Sequence, residues 1–188
     1  MPINAEPIDL DGDGDLDMVA GSRAERRVFW YENTGELNFT THKINVPSAP
    51  ENLSITGFNM DYADLNGDGR LDILSTAWPG WLVLLLQPID PKDDWQFSVI
   101  GAASHDLLVS VRFGDIHSDG DLDIFAGAYS RGPRDRDGPL VSANDSVGRI
   151  IWFENPGGET TPGKLENWRS HDVARPKRVC MTNGCSAI

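Results

Sequence analysis

Three nine-residue stretches of the chain place polar or charged side chains at a shared spacing, with a glycine at the sixth position. The side chains at positions 1, 3, 5, 7 and 9 are Asp9, Asp11, Asp13, Asp15 and Asp17 in the first stretch, Asp64, Asn66, Asp68, Arg70 and Asp72 in the second, and Asp115, His117, Asp119, Asp121 and Asp123 in the third. Calcium prefers carboxylate, amide and carbonyl oxygens as ligands, and the backbone carbonyl of position 7 can supply one more. Carboxylates this close together repel one another unless a cation lies between them. We therefore predict a metal site in each stretch, with Ca²⁺ as the ion at about two or three sites.

The residues after each stretch argue against an EF-hand. That motif requires a bidentate glutamate at position 12 and a helix on either side. Position 12 is Ala20, Ser75 or Ala126, and the flanking segments are apolar and strand-like. A dockerin-type pair is also excluded, because the stretches begin roughly 50 residues apart, which is the period of a larger repeat.

The third stretch departs from the pattern at its third position. His117 stands where the other two have an aspartate or an asparagine, and imidazole is a poor ligand for calcium. We expect the third site to be the weakest, or His117 to point away with water in its place. A transition metal at this loop remains an alternative.

Four short strand-like runs accompany each stretch, and they recur with a period of about 50 residues, which is typical of a propeller blade. The fold class is therefore all-β, a partial β-propeller of about three four-stranded blades with little helix. The predicted blades span about 1–45, 46–101 and 102–175. Residues 176–188 do not continue the repeat, and we expect a disordered tail or a truncated fourth blade there.

These stretches and their flanking strands resemble the FG-GAP/VCBS-type repeats of calcium-binding β-propellers, over roughly residues 1–175. That group includes integrin α-subunit heads, some fungal lectins and many secreted bacterial proteins. A weaker likeness, to the propeller part of fungal aldos-2-ulose dehydratases, rests on the stretch 148–157 followed by Trp168. The first resemblance implies a calcium-loaded scaffold that recognises carbohydrate or protein, and the second implies a sugar lyase.

A closed propeller usually has about four to eight blades, whereas this chain has three acidic stretches. Because only eight residues precede Asp9, the first blade is expected to lack most of its opening strand. We therefore expect a piece of a larger protein. Its expected partners include the remaining blades of that protein or other copies of itself.

Recognition is expected at the end of the blades opposite the acidic stretches, where the connections vary most. The candidate ligand-binding residues at that end are Trp78, Trp81, His105, Arg131, Arg134 and Arg136. Packing between blades is the alternative role for the two tryptophans. Trp30, Trp95, Trp152 and Trp168 are expected in the core, and the repeated His42 and His171 are expected to be structural.

The composition limits the function further. A net charge of −13 argues against a nucleic-acid partner, and no apolar run is long enough for a membrane span. No signal peptide is visible, and no nucleophile with an adjacent base follows from the spacing, so no catalytic residue is predicted. The sequence thus favours a non-catalytic binding scaffold, extracellular or at the cell surface in its parent protein. An enzyme domain such as a sugar lyase, and a purely structural module, remain alternatives.

Overall fold

The computed structural model describes residues 2–78, 80–102, 106–130, 150–157 and 168–174, which form three four-stranded antiparallel sheets. Sheet I contains β1 (Pro2–Ile8), β2 (Asp17–Ser22), β3 (Arg27–Asn33) and β4 (Phe39–Lys43). Sheet II contains β5 (Met60–Ala63), β6 (Asp72–Ala77), β7 (Trp81–Leu86) and β8 (Gln96–Ala102). Sheet III contains β9 (Asp106–Gly114), β10 (Asp123–Ser130), β11 (Ile150–Glu154) and β12 (Arg169–Ala174). Strands follow chain order within each sheet.

This arrangement confirms the predicted all-β fold of repeated four-stranded units. No helix occurs in the described ranges, so none of them holds a helix able to cross a bilayer. The predicted tail, 176–188, lies outside the described residues.

The opening strand of the first sheet differs from the prediction. β1 is seven residues long and pairs with β2 from Pro2 opposite Ser22 to Ile8 opposite Asp17, so the expectation of a mostly missing strand was wrong. Seven residues at about 3.3 Å each are long enough to cover β2. β1 lies at the edge of the sheet, where prolines such as Pro2 and Pro7 are tolerated. For that reason it lacks the apolar alternation that identifies a strand in sequence.

Sheet II is the middle layer of the structure, and both of its faces are covered. Its strand β7 is buried at every position after Trp81, in a continuous apolar run from Leu82 to Leu86. In sheet I, buried and more exposed residues alternate along most of β3. Each fully buried leucine of β7 contributes about 1.5–3 kcal/mol through the hydrophobic effect.

Two apolar clusters hold the three sheets together. Cluster 1, between sheets I and II, contains Leu10, Val19, Val28, Trp30, Ile44, Val46, Leu53, Ile55, Met60, Ile73, Ala77, Val83, Leu85 and Trp95. Cluster 2, between sheets II and III, contains Leu65, Leu74, Leu82, Leu84, Leu86, Ile100, Leu108, Val111, Ile124, Ala126, Ile151 and Phe153. The acidic stretches therefore project from the ends of sheets whose positions are fixed by packing.

The segment that connects sheets I and II passes directly over β2 at a glycine. A Cβ atom on Gly21 would lie 2.0 Å from the carbonyl oxygen of Thr56 and 2.6 Å from that of Gly57. No side chain fits between these two backbone segments without moving one of them. This contact sets how closely the connection approaches sheet I.

We expect Gly21→Ala to lower the free energy of unfolding by about 3 kcal/mol or more, because the clash is with backbone and cannot be relieved by a rotamer change. Gly114→Ala is the matched control, since a Cβ at that strand residue meets no heavy atom within 4 Å. Chemical denaturation with circular dichroism measures both. Equal stability of the two variants would contradict the close approach.

Candidate functional site

Each acidic stretch forms the connection from the first to the second strand of its sheet, between β1 and β2, β5 and β6, and β9 and β10. The sixth residue of each loop has a left-handed backbone, with φ of +96° at Gly14, +84° at Gly69 and +95° at Gly120. Glycine adopts this conformation without the steric cost that a Cβ atom brings. The three loops, named here loop I, loop II and loop III after their sheets, thus share one turn at the same position.

The first aspartate of each loop closes the turn by accepting backbone N–H groups. Both of its oxygens are used, by donors three to five residues further along the chain. The donor–acceptor distances are 2.8 Å from Gly12 and 3.1 Å from Gly14 to Asp9, 3.0 Å from Asp68 and 2.8 Å from Gly69 to Asp64, and 3.2 Å from Asp119 and 3.1 Å from Gly120 to Asp115. The backbone of each loop is therefore wrapped around a carboxylate at position 1.

The ninth residue, Asp17, Asp72 or Asp123, is at most 1% exposed and ties its loop to the third strand. Each of these carboxylates accepts the backbone N–H of the loop's second residue and that of a residue at the end of the third strand. The donors are Leu10 at 3.1 Å and Asn33 at 2.7 Å for Asp17, Leu65 and Gln87 at 3.0 Å each for Asp72, and Ile116 at 3.0 Å and Asn155 at 2.8 Å for Asp123. A buried carboxylate with two backbone donors fixes the loop against the sheet.

A third donor to the ninth residue differs between the sheets. The indole N–H of Trp30 donates to Asp17 Oδ2 at 2.8 Å, and Nδ1 of His117 lies 2.9 Å from Asp123 Oδ2. The only donors to Asp72 among the described residues are the two backbone groups. His117 therefore takes the oxygen in sheet III that a tryptophan takes in sheet I.

These hydrogen-bond donors, together with burial, determine the direction in which the pKa values of Asp72 and Asp123 are shifted. Burial raises the pKa of Asp72 to about 6, against the opposing effect of the two backbone N–H groups. Ionisation of Asp72 thus destabilises the fold as the pH rises through about 6, unless a cation neutralises it. Burial also tends to raise the pKa of Asp123, but hydrogen bonds from the Asn155 N–H, the His117 ring and the Ile116 N–H outweigh it and lower that pKa.

Loop I brings three carboxylates together. Oxygens of Asp9, Asp11 and Asp17 lie within 4.8 Å of one another. Burial raises the pKa of Asp11, and the carboxylates of Asp17, Asp13 and Asp9 raise it further, against a backbone N–H that lowers it. This all-oxygen donor set could hold a calcium ion, which would relieve the repulsion among the carboxylates.

Loop II contains its own cation. The guanidinium of Arg70, at position 7, contacts the carboxylate of Asp68, and its Nε donates to the Gln87 carbonyl at 3.2 Å. Asn66 at position 3 donates to Asp68 at 2.8 Å. Asp68 is partly neutralised by these two side chains, so loop II offers an ion less negative charge than loop I.

In loop III the imidazole lies between two carboxylates. Nε2 of His117 lies 2.8 Å from Asp119 and Nδ1 lies 2.9 Å from Asp123, so of the two alternatives for this loop the one in which His117 points away does not hold, and the weakest-site alternative stays a prediction. The hydrogen bond with Asp123 raises the pKa of His117, and the charge of Asp119 adds to the effect. Oxygens of Asp115 and Asp119 and a ring nitrogen of His117 lie within 4.8 Å of one another. The ring thus occupies the space between the carboxylates of Asp119 and Asp123.

Two further clusters, which the sequence analysis did not identify, pair each repeated histidine with a glutamate and a tryptophan. His42 contacts Glu32 at 2.6 Å, and its ring centroid lies 4.8 Å from that of Trp30. His171 contacts Glu154 at 2.7 Å and stacks on Trp152 at 4.6 Å. The repeated Trp-x-Glu of β3 and β11 was the available signal, but the partner histidines could be assigned only with the strand register.

The candidate ligand-binding tryptophans lie at the end of sheet II opposite loop II, on either side of the β6–β7 turn. Trp78 is 52% exposed and Trp81 is 38% exposed. His105, Arg131, Arg134 and Arg136 lie outside the described residues. Of the tryptophans predicted to be in the core, Trp30 and Trp95 are fully buried, whereas Trp152 and Trp168 are half-buried.

We expect Trp30→Phe to lower the free energy of unfolding by about 1–3 kcal/mol more than the smaller ring alone would, because Asp17 loses a buried hydrogen-bond donor. Trp152→Phe is the comparison, since the buried Nε1 of Trp152 has no hydrogen-bond partner among the described residues. Urea denaturation of both variants measures the difference. An equal loss at the two positions would show that the indole hydrogen bond is unimportant.

Comparison with known proteins gives one match. Residues 9–75 match the model of the FG-GAP-like repeat family, a segment that runs from loop I through loop II into β6. The match and the three four-stranded sheets confirm the predicted resemblance to propeller-type repeats and indicate a β-propeller-like binding or structural module. No curated protein and no solved structure matches the chain.

Proposed function

We propose that this chain, in which residues 9–75 form an FG-GAP-like repeat, is a calcium-stabilised, non-catalytic scaffold that binds a ligand at the end opposite its acidic loops. The observation that carries the proposal is the carboxylate cluster of loop I, Asp9, Asp11 and Asp17, held within 4.8 Å on a loop tied to β3. FG-GAP-like repeats are typical of extracellular or surface proteins, where calcium is abundant. We infer such a location for this protein.

The role inferred for calcium is structural. An ion among the carboxylates of loop I would neutralise their repulsion and fix the first-to-second strand connection to the rest of sheet I. Arg70 in loop II and His117 in loop III each supply part of that positive charge from the chain itself. We therefore expect calcium affinity to fall from loop I to loop II to loop III, and about two ions to bind at millimolar calcium.

Asp11→Asn tests this role, because it gives effects of opposite sign with and without calcium. In chelator, the variant should melt at the same temperature as the unmodified chain or higher, since burial and, after it, the neighbouring carboxylates raise the Asp11 pKa, and the amide carries no charge to be buried or repelled. In millimolar calcium it should melt lower and bind one ion fewer by calorimetry. Asp93→Asn, an exposed position outside the loops, should change neither value. A loss of stability at Asp11→Asn that is the same in both conditions would contradict a cation in loop I.

His117→Asp should add an ion at loop III, because aspartate would then occupy all five odd positions of that loop, as in loop I. Calorimetry should show the stoichiometry rise from two to three. Three ions bound by the unmodified chain, or no third ion in His117→Asp, would contradict the inferred effect of His117 on loop III.

The proposed ligand is a carbohydrate that stacks on Trp78 and Trp81. The faces of pyranose rings are apolar, so exposed indoles on either side of a tight turn suit them, as they suit other amphipathic ligands. Burying these indoles against a ligand would also remove exposed apolar surface from water.

We expect Trp78→Ala and Trp81→Ala each to weaken glycan binding about tenfold or more, with an unchanged melting temperature, when the full chain is screened on a glycan array in calcium. Ile89→Ala is the control, because Ile89 is 88% exposed and lies in the β7–β8 connection, at the end that carries the loops. A chain that retains no glycan would favour the structural-module alternative. Turnover of a keto-sugar would favour the sugar-lyase alternative.

A further inference from the structure

One face of sheet III packs on cluster 2, and its other face, named here the end face, carries Phe125, Ile150, Trp152, Glu154 and His171. Trp152 pairs directly with Phe125 on one side and with His171 on the other, so these side chains share a face. Ile150 and Glu154 lie two residues before and after Trp152 on the same strand. Phe125 and Ile150 are each 39% exposed, so this apolar face is open to solvent.

The same set of positions exists in sheet I, where its three apolar members are buried. Counting from the buried aspartates, Val19, Val28, Trp30, Glu32 and His42 of sheet I correspond to the five end-face residues. Trp30 pairs with Val19 and His42 in the same register. Val19, Val28 and Trp30 are at most 2% exposed, because sheet II packs on them. The end face is therefore the counterpart of a surface that already binds a β-sheet within this molecule.

On the face of sheet I that packs on sheet II, a lysine from sheet II supplies a polar contact. Lys92, from the β7–β8 connection, places its Nζ 3.0 Å from Glu32 and 5.7 Å from the centroid of Trp30. This hydrogen bond from Lys92 is the main cause that lowers the pKa of Glu32. At the end face, no lysine or arginine of the described residues forms an ion pair with Glu154.

We propose that the end face of sheet III binds a further β-sheet unit that brings a lysine or arginine to Glu154 and Trp152, as Lys92 is brought to Glu32 and Trp30. The apolar residues Phe125 and Ile150 supply the contact area. The carboxylate and the indole ring select a cation, through an ion pair and a cation–π contact. This proposal rests on the internal interface and does not depend on metal binding at the loops.

A second copy of the chain matches this face in its apolar residues but not in its charge. In the register of the sheets, the outer positions Met18, Phe29, Tyr31 and Phe39 of sheet I correspond to Ile73, Val83, Leu85 and Trp95 of sheet II, which pack on sheet I. Lys92 lies in the β7–β8 connection of sheet II, and the corresponding connection of sheet I, between β3 and β4, is shorter and has Glu36 as its one charged residue. A second copy would therefore bring a carboxylate, rather than a lysine, to the end of the contact where Glu154 lies.

This mismatch provides the test, because one substitution should convert the chain into its own partner. Sedimentation velocity of the full chain, at fixed calcium and ionic strength, compares the unmodified protein with Glu36→Lys. We expect the unmodified chain to stay monomeric, and Glu36→Lys to self-associate about tenfold more tightly than Glu36→Gln, which removes only the repulsion. Adding Glu154→Gln to Glu36→Lys should abolish the gain.

Glu25→Lys is the matched control, since it makes the same charge change on an exposed residue of sheet I in the β2–β3 turn, at the other end of the sheet. Circular dichroism verifies that every variant is folded. The proposal is overturned if Glu36→Lys associates no more tightly than Glu25→Lys, or if Glu154→Gln leaves its association intact. It is also overturned if the unmodified chain associates as tightly as Glu36→Lys, because the face would then take a second copy without a lysine.

Discussion

The buried aspartate at the end of each loop is the contact on which the local structure depends. Asp17, Asp72 and Asp123 lie inside the sheets, and each joins the backbone of its loop to the backbone at the end of the third strand. Losing one of these carboxylates would leave two buried N–H groups without an acceptor, at a cost of about 1–3 kcal/mol each. The metal-binding chemistry inferred for the loops is built on this contact, because it fixes where the other oxygens can lie.

The three sheets differ in the side chain that stabilises the buried aspartate at the ninth position of the loop. An indole assists the buried carboxylate in sheet I and an imidazole does so in sheet III, while Asp72 in sheet II keeps a raised pKa. The charged groups of the loops differ as well. Loop I has three clustered carboxylates, loop II has an arginine in contact with Asp68, and loop III has His117 between carboxylates. Loops II and III therefore each place a basic side chain of the chain itself beside their carboxylates.

Much of this was predictable from sequence, because the loops are local. The nine-residue spacing, the glycine turn and the four strands per repeat follow from periodicity, and the structure has the repeated sheets in the predicted order. β1 was missed because only eight residues precede Asp9, yet seven of them are enough to form an edge strand. The contacts of His42 with Glu32 and of Lys92 with Glu32 depend on strand register and sheet packing, which spacing does not contain. One of the two alternatives for loop III had His117 pointing away, yet carboxylates on either side of the ring hold it in the loop.

The hydrogen bonds of each buried aspartate stay within its own sheet, and this has a consequence for how such an array evolves. A side chain that enters the carboxylate cluster of one loop, as His117 does, leaves the hydrogen bonds of the neighbouring repeats unchanged. If the loops bind calcium as proposed, dependence on the ion could be lost one repeat at a time. Such a chain would respond to falling calcium by gradual loosening of individual units, rather than by a single collective transition.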